Sequence, residues 1–463
     1  MVNRRQFIGI GAAAGATLML PACSPKSQAP SYPLQDKNGR LLWQNWSGVE
    51  HSYPANRAAP STADELKTLL GTAPAPIRAV GAGHSFTGLC TSEGTLLTLD
   101  NMAGLVSHDK AAQTATLKAG TRLQQMGQLL ADIGQDMLNI PDINKQSLAG
   151  AIATGTHGTG IQLPALHGRV QSFRLMKVNG DEIQCSPTEN ADIFHAALVG
   201  MGSFGIVTEY TMKNWPLFRT ERRVDIVPFD ELLRDWQSLY LGNRNAEFFY
   251  IPFTGIAARI VHNQTTAEPT PRGPDKDMDT LMDLKKLRDY LGWSSGMRRR
   301  VAEMLAGKHG SEIAVDYSWK LMASERSVRF NEMEFHLPLE NQLAALKEVI
   351  ATIEAKRPDV FFPIEARVIQ RDEQAWLSPF YARDTGSVAV HAYYEDDYKF
   401  MFELIEPIFR KYGGRPHWGK LHSLGAADLA KLYPKWQDVQ AIRQQLDPQG
   451  KLLNPFLRRI WGA

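Results

Sequence analysis

Apolar residues at Leu66, Leu69 and Leu70 recur at helical spacing, and Ser61-Thr62-Ala63-Asp64-Glu65 before them supplies a capping hydroxyl and early acids. A short strand, Ile77-Arg78-Ala79-Val80, follows that helix. As far as Trp215 the chain alternates β-rich and helical runs, with strands over 96–99, 114–118, 170–178 and 205–212 and a helix over 123–133. Beyond Trp215-Pro216 the texture changes to an aromatic strand over 247–253 and a polar loop over 263–277. Leu281, Leu284, Leu287 and Leu291 then place a helix pair over 278–306. Strands over 328–337, 360–370 and 387–394, with a helix over 343–355 between the first two, predict an antiparallel sheet backed by helices. The pattern as a whole is α+β, with a first domain over 41–216, a second over 217–414 carrying the 278–306 helical insert, and a C-terminal segment over 415–463.

Length agrees, because 463 residues at ~150 per domain make two or three units. Charge changes the picture little: 51 basic and 49 acidic residues are dispersed, and a net +2 provides no field for a nucleic-acid backbone. The most basic stretch, 285–300, reads as a solvated helix face. The N-terminus is more informative. Asn3-Arg4-Arg5-Gln6-Phe7-Ile8, a weakly apolar run over 9–20 and Pro21-Ala22-Cys23 read as a targeting segment over 1–23, too short to cross a bilayer core of ~30 Å. Paired arginines ahead of Phe7 resemble a twin-arginine signal, which implies export by that machinery to the periplasm or to the outer side of a membrane. Leu20-Pro21-Ala22-Cys23 also resembles a lipoprotein signal, with a lipid anchor at Cys23 as the alternative to simple cleavage. Residues 24–40, rich in Pro and Ser, form a tether. Cys90 and Cys185 remain; their spacing resembles no metal site and leaves one disulfide open.

Two glycine-rich stretches carry the candidate chemistry. In Arg78-Ala79-Val80-Gly81-Ala82-Gly83-His84-Ser85-Phe86 a strand runs into a turn that aims successive N–H groups at an anion and presents a histidine and a hydroxyl. It lacks the third glycine and the long helix of a nicotinamide-dinucleotide fingerprint. The second runs from Gln146-Ser147-Leu148-Ala149-Gly150 to Ala153-Thr154-Gly155-Thr156-His157-Gly158-Thr159-Gly160. Its small and hydroxylated side chains let backbone lie along a pyrophosphate. One such loop could serve packing alone; two in one domain favour a ligand.

Together with Gly200-Met201-Gly202-Ser203-Phe204-Gly205-Ile206-Val207, these stretches resemble in order and spacing the FAD domain of the vanillyl-alcohol oxidase superfamily, specifically the aldonolactone oxidoreductases and alditol oxidases. The resemblance implies a two-part PCMH-type FAD-binding domain followed by an α/β substrate (cap) domain with an antiparallel sheet. It also implies FAD joined covalently to His84 through the flavin 8α-methyl, with Gly81, Ala82, Gly83, Ser85, Ser147, Gly150, Thr154, Gly155, Thr156, His157, Gly158, Gly205, Ile206 and His417 around the cofactor. Phe362-Pro363-Ile364-Glu365-Ala366-Arg367 resembles the family's Glu-x-Arg strand, and period-two alternation puts Glu365 and Arg367 on one face. Arg415-Pro416-His417-Trp418-Gly419-Lys420 and the ending Asp447 to Pro455 resemble the lactone enzymes' C-terminus, which would complete the active site.

The implied roles are catalytic for Glu365, Arg367 and Lys420 and substrate-facing for Asp142 and His391. The implied reaction is hydride transfer to flavin from an aldono-1,4-lactone of the D-arabinono or L-gulono type. An alditol is the alternative substrate, and a non-enzymatic flavin electron carrier the alternative class. The acceptor is oxygen, a quinone or a cytochrome. Pro141, standing where lactone oxidases usually carry glycine, would obstruct oxygen and favour a dehydrogenase. No cysteine near Gly150 offers the second flavin link of berberine-bridge-like oxidases.

Overall fold

The computed structural model describes residues 30–270, 277–306, 311–324 and 327–463. The expected targeting segment, with Cys23, lies outside the described residues. Among those described, no helix is long and apolar enough to cross a membrane.

The first half of the chain builds two sheets of three or more strands among the described residues. Asn56–Ala58, Thr95–Leu97 and Ile77–Ala79 form a parallel three-stranded sheet with Thr95–Leu97 central. Five antiparallel strands follow in the order Glu182–Cys185, Val170–Met176, Ile206–Lys213, Thr114–Lys118 and Leu105–Asp109. The expected helices form at Ala63–Thr72, where Thr62 accepts from Glu65 N, and at Leu123–Asp132, which buries Leu123, Met126 and Leu130. Cys185 lies in this sheet opposite Phe173, and Cys90 directs its thiol to the Ala79 carbonyl. Both are free, so the disulfide left open by sequence is absent.

The second half is organised on one eight-stranded antiparallel sheet. Its order is Glu312–Tyr317, Arg219–Pro228, Ile256–Thr265, Asn245–Ile251, Ile364–Ile369, Thr385–Tyr393, Phe330–Pro338 and Arg415–Pro416. The two ten-residue strands Arg219–Pro228 and Ile256–Thr265 were not among the expected elements, and the second takes residues assigned to the polar loop. They alternate charged with apolar residues near the outer end of the sheet, and pairing on both sides supplies the order that composition conceals. The insert forms the expected helix pair, Asp277–Leu291 and Ser295–Ala306.

Opposed residues of antiparallel neighbours share a face, so the register divides the sheet cleanly. Phe248, Ala366, Val388 and Phe335 form one row of an apolar face. Helices Phe229–Gly242 and Gln342–Lys356 cover it: Trp236 packs edge-on against Phe248 at 4.7 Å and bonds Gln342 Oε1 at 3.0 Å. Gln342 in turn donates to the carbonyls of Arg367 and Ser387, an approach that a side chain at Gly386 would block.

The other face is polar. One row reads Glu247, Arg367, Ser387, His336; the next Phe249, Glu365, Ala389, Glu334; a third pairs His391 with Glu332. This face is nevertheless buried, because the glycine loops of the first half lie on it: Gly160 N bonds Val368 O and Thr159 Oγ1 bonds Ala246 O. After Arg415–Pro416 the chain returns to the first half, where Phe86 N bonds Gly419 O, Ile77 N bonds Lys451 O and the Asn454 amide donates to Gly88 and Thr91 carbonyls.

Candidate active site

A long cleft of about 1320 Å³, including space open to solvent, lies between the glycine loops and the 417–420 segment. Its border of glycines with Ser147 and Thr154 lets backbone and hydroxyl donors approach a pyrophosphate, which suits a dinucleotide. Gly81, Ala82, Gly83, His84, Ser85, Ser147, Gly150, Thr154, Gly205, Ile206, His417 and Lys420 border it. The first two loops are pressed together, since a Cβ at Gly81 would strike Ser147 Oγ, the atom that caps the Leu148–Ala153 helix. At Gly205, φ is +149° and a Cβ would lie 2.7 Å from the Met176 carbonyl.

Arg78, unremarked in the sequence, fixes this geometry. Its buried guanidinium donates to the carbonyls of Leu89, Met201, Gly202 and Leu452, tying three chain segments to its own strand at the cleft.

Four expected cofactor residues do not border the cleft. Gly155, Thr156, His157 and Gly158 turn behind it, where Gly155 packs on Pro379 and Gly158 fits against the Ile140 carbonyl. Thr156 is reached by the Gln146 amide, and Gln146 itself borders the cleft. His157 points to the sheet, 3.1 Å from Glu334 Oε1. This part of the loop grips the second half of the chain, a destination that its glycine content could not reveal. Pro141 likewise does not border the cleft, whereas Ile143, two residues on, does.

His84 stands at the end of the cleft nearest Lys420, stacked on Trp46 with ring centroids 4.7 Å apart. Gly83, at φ +65°, makes the turn that presents it, and its carbonyl accepts from Trp46 N. Burial, with the Lys420 charge adding, pushes the His84 imidazole down to about 4. The ring is therefore neutral at physiological pH, with a lone pair available.

Of the catalytic candidates, Lys420 borders this end of the cleft, whereas Glu365 and Arg367 do not border it and lie buried on the polar sheet face. Arg367 is ion-paired with Glu365 and, at 3.1 Å, with Glu247. Burial pushes the Glu365 carboxyl well up; Glu247, Asp142 and Glu334 add to that, and only Arg367 opposes it. Burial alone would lower Arg367, but Glu365 and Glu247 hold it charged. Lys420 pairs with Glu332, stands 4.0 Å from Glu334 and lies over the Phe86 ring. Asp142, from the loop before the second glycine stretch, accepts from Ser324, and His391 Nδ1 donates to Pro363 O.

Glu332, Glu334 and His336 were missed. They occupy alternate positions in Asn331-Glu332-Met333-Glu334-Phe335-His336, and that period-two run on an expected strand was the available signal. Burial alone would raise Glu334, but His157, His336 and Lys420 hold it well below the usual carboxylate range, and Ser387 Oγ donates to it at 2.5 Å. His157, Glu334 and His336, and likewise Glu332, Glu365 and His391, are ligand-type groups within 4.8 Å of one another. Lys420 and Arg367 already supply positive charge to these carboxylates.

Fold and cleft together define a two-lobed flavoprotein oxidoreductase. The chain belongs to the D-arabinono-1,4-lactone oxidase family, whose model matches residues 210–460, and a model described as an FAD binding domain matches residues 54–186. FAD is its cofactor, and aldonolactones are its substrate class. The chain is 31% identical to L-gulono-1,4-lactone dehydrogenase of Mycobacterium tuberculosis over 91% of this chain and 99% of that one. It is 27% identical to L-gulonolactone oxidase of Mus musculus over 91% and 98%. The crystal structure of cholesterol oxidase from B. sterolicum superposes with a TM-score of 0.74 at 18% identity, covering 95% of this chain and 100% of that one, a likeness of PCMH-type fold.

Proposed function

We propose that the chain oxidises an L-gulono- or D-arabinono-1,4-lactone at a secondary carbinol, in the space between His84 and the Glu365–Arg367 pair. The observation that carries this reading is the neutral His84 and the Lys420 ammonium at one end of the cleft, with Lys420 ion-paired to Glu332 on the polar sheet face that also bears the Glu365–Arg367 pair. FAD, when bound, supplies the two-electron acceptor for the carbinol hydride. His84 holds it covalently through its neutral nitrogen. Arg367 binds and polarises substrate oxygens with its rigid fork of donors. Glu365 exchanges a proton with the substrate hydroxyl, a task suited to a carboxyl that burial pushes up from the usual carboxylate range. The Lys420 charge stabilises negative charge that develops beside it.

The likeness to a protein named a dehydrogenase supports reading the electron acceptor of this chain as a quinone or cytochrome rather than oxygen. Residues 1–23 are read as a twin-arginine export signal that places the enzyme in the periplasm or, through a lipid on Cys23, on the outer face of a membrane. The test is turnover of aldonolactones and alditols with cytochrome c or oxygen. Lactone-dependent cytochrome reduction without hydrogen peroxide is expected; turnover confined to alditols, or stoichiometric peroxide, would sink the reading.

A further inference from the structure

We propose that Glu332 is the positioning residue for Lys420, holding its ammonium at the His84 end of the cleft. The proposal rests on the reading of Lys420 given above. A lysine has a flexible four-carbon stem and a strongly hydrated head. The Lys420 side chain is 17% exposed, at the border of an open cleft, so an unheld ammonium would turn toward water. Three features prevent this.

The first is the ion pair itself, with a Glu332 carboxylate that is 4% exposed. The second is register: His417 N bonds Glu334 O at 3.0 Å and Leu421 N bonds Glu332 O at 2.9 Å, so the 417–421 segment runs along the edge of the Phe330–Pro338 strand and delivers Lys420 beside Glu332. The third is the lack of a competitor. His391 lies directly across from Glu332 on the neighbouring strand, but its Nδ1 hydrogen is given to Pro363 and its Nε2 stays 3.6 Å from Glu332. The nearby carboxylate of Glu334 is engaged by His157 and Ser387 and stands 4.0 Å from Lys420. Each of the two acids on this strand thus has its own partner, and the lysine belongs to Glu332. The carboxylate would act only through Lys420, since it does not border the cleft.

The experiment is a double-mutant cycle on the flavin-loaded enzyme with Glu332→Gln, Lys420→Met and both together. Each single variant is expected to lose kcat, Glu332→Gln on the order of 10²-fold, as for a misplaced group near the reacting atoms, with KM for the lactone within about two-fold. The double variant should be no slower than Lys420→Met, because two residues acting as one unit are not additive. The visible absorption band of the bound flavin reports the same coupling without turnover. It should shift alike in both single variants and no further in the double.

Unimpaired Glu332→Gln beside a slow Lys420→Met would overturn the proposal alone, as would fully additive losses. Wild-type turnover in Lys420→Met would overturn the reading of Lys420 and the proposal with it. Glu332→Asp keeps the charge and withdraws it by one methylene, which covers a glutamine variant that does not fold. Loss of kcat at full flavin content is expected there, and wild-type kcat would overturn the proposal too.

Discussion

The two faces of the eight-stranded sheet are written by the same strands, yet one is a core and the other an active site. Phe248, Ala366, Val388 and Phe335 meet helices, and their contribution is area removed from water. Arg367, Glu365, Glu334 and Glu332 are buried almost as deeply and Glu247 partly so, with no apolar gain to repay the desolvation of their charges. Their stability depends on partners: Arg367 for Glu247 and Glu365, His157 and Ser387 for Glu334, Lys420 for Glu332. The difference teaches that burial means opposite things on the two sides of one strand. On the helix face truncation leaves a void, while on the cleft face it leaves an unpaired charge.

Arg367→Leu should break this comparison hardest. It strands Glu247 beside Glu365 and removes the donor fork, so kcat/KM for the lactone is expected to fall on the order of 10³-fold while flavin content persists. Steady-state kinetics with a flavin assay check it, and a loss below ten-fold would remove Arg367 from the chemistry.

Phe335→Ala asks the converse question. Phe335 is fully buried and stacks on Phe409 with centroids 5.1 Å apart. Its truncation should cost about 3–5 kcal/mol of stability in urea unfolding, with turnover per folded molecule within about two-fold of wild type.

Ser387→Ala sits between these extremes. The lost hydroxyl donates to a buried carboxylate, so a cost of about 1.5–3 kcal/mol is expected, with a modest fall in kcat. Unchanged stability would mean that Glu334 is satisfied without Ser387.

The smallest expected effect is a flat line. His84 has its folded-state value depressed to about 4. Between that value and an ordinary histidine near 6.5, the unfolded chain binds the proton and the folded chain does not. The stability from the neutral ring is thus complete above about 6.5 and lost as pH falls toward 4. The rate at which apoprotein acquires acid-stable flavin should accordingly be level from pH 8 to 5 and fall only near 4, with none acquired by His84→Ala. A half-fall near 6.5 would mean that the ring is not shielded as described.

Much of this was legible in one dimension. The helices at 63–72, 123–132 and 342–356 and the antiparallel strands of the second half followed from periodicity. The glycine turn before His84 and the Glu365–Arg367 alternation followed from spacing that any backbone must obey. Those features are local, and local sterics and side-chain period are properties of the chain alone.

What the sequence left undecided is where each face goes. Alternation in Asn331 to His336 reads equally as a strand half in water, and only the docking of the first glycine-rich half turned that polar side into the wall of a cleft. The same docking took His157 away from the cofactor to Glu334, let Arg78 gather carbonyls up to 374 residues distant, and brought Lys420 beside Glu332 across 88 residues. The sequence by itself determined which groups could be charged, hydroxylated or bare. Their pairing was a tertiary decision, because a buried charge is tolerable only where a partner from another part of the chain arrives to meet it.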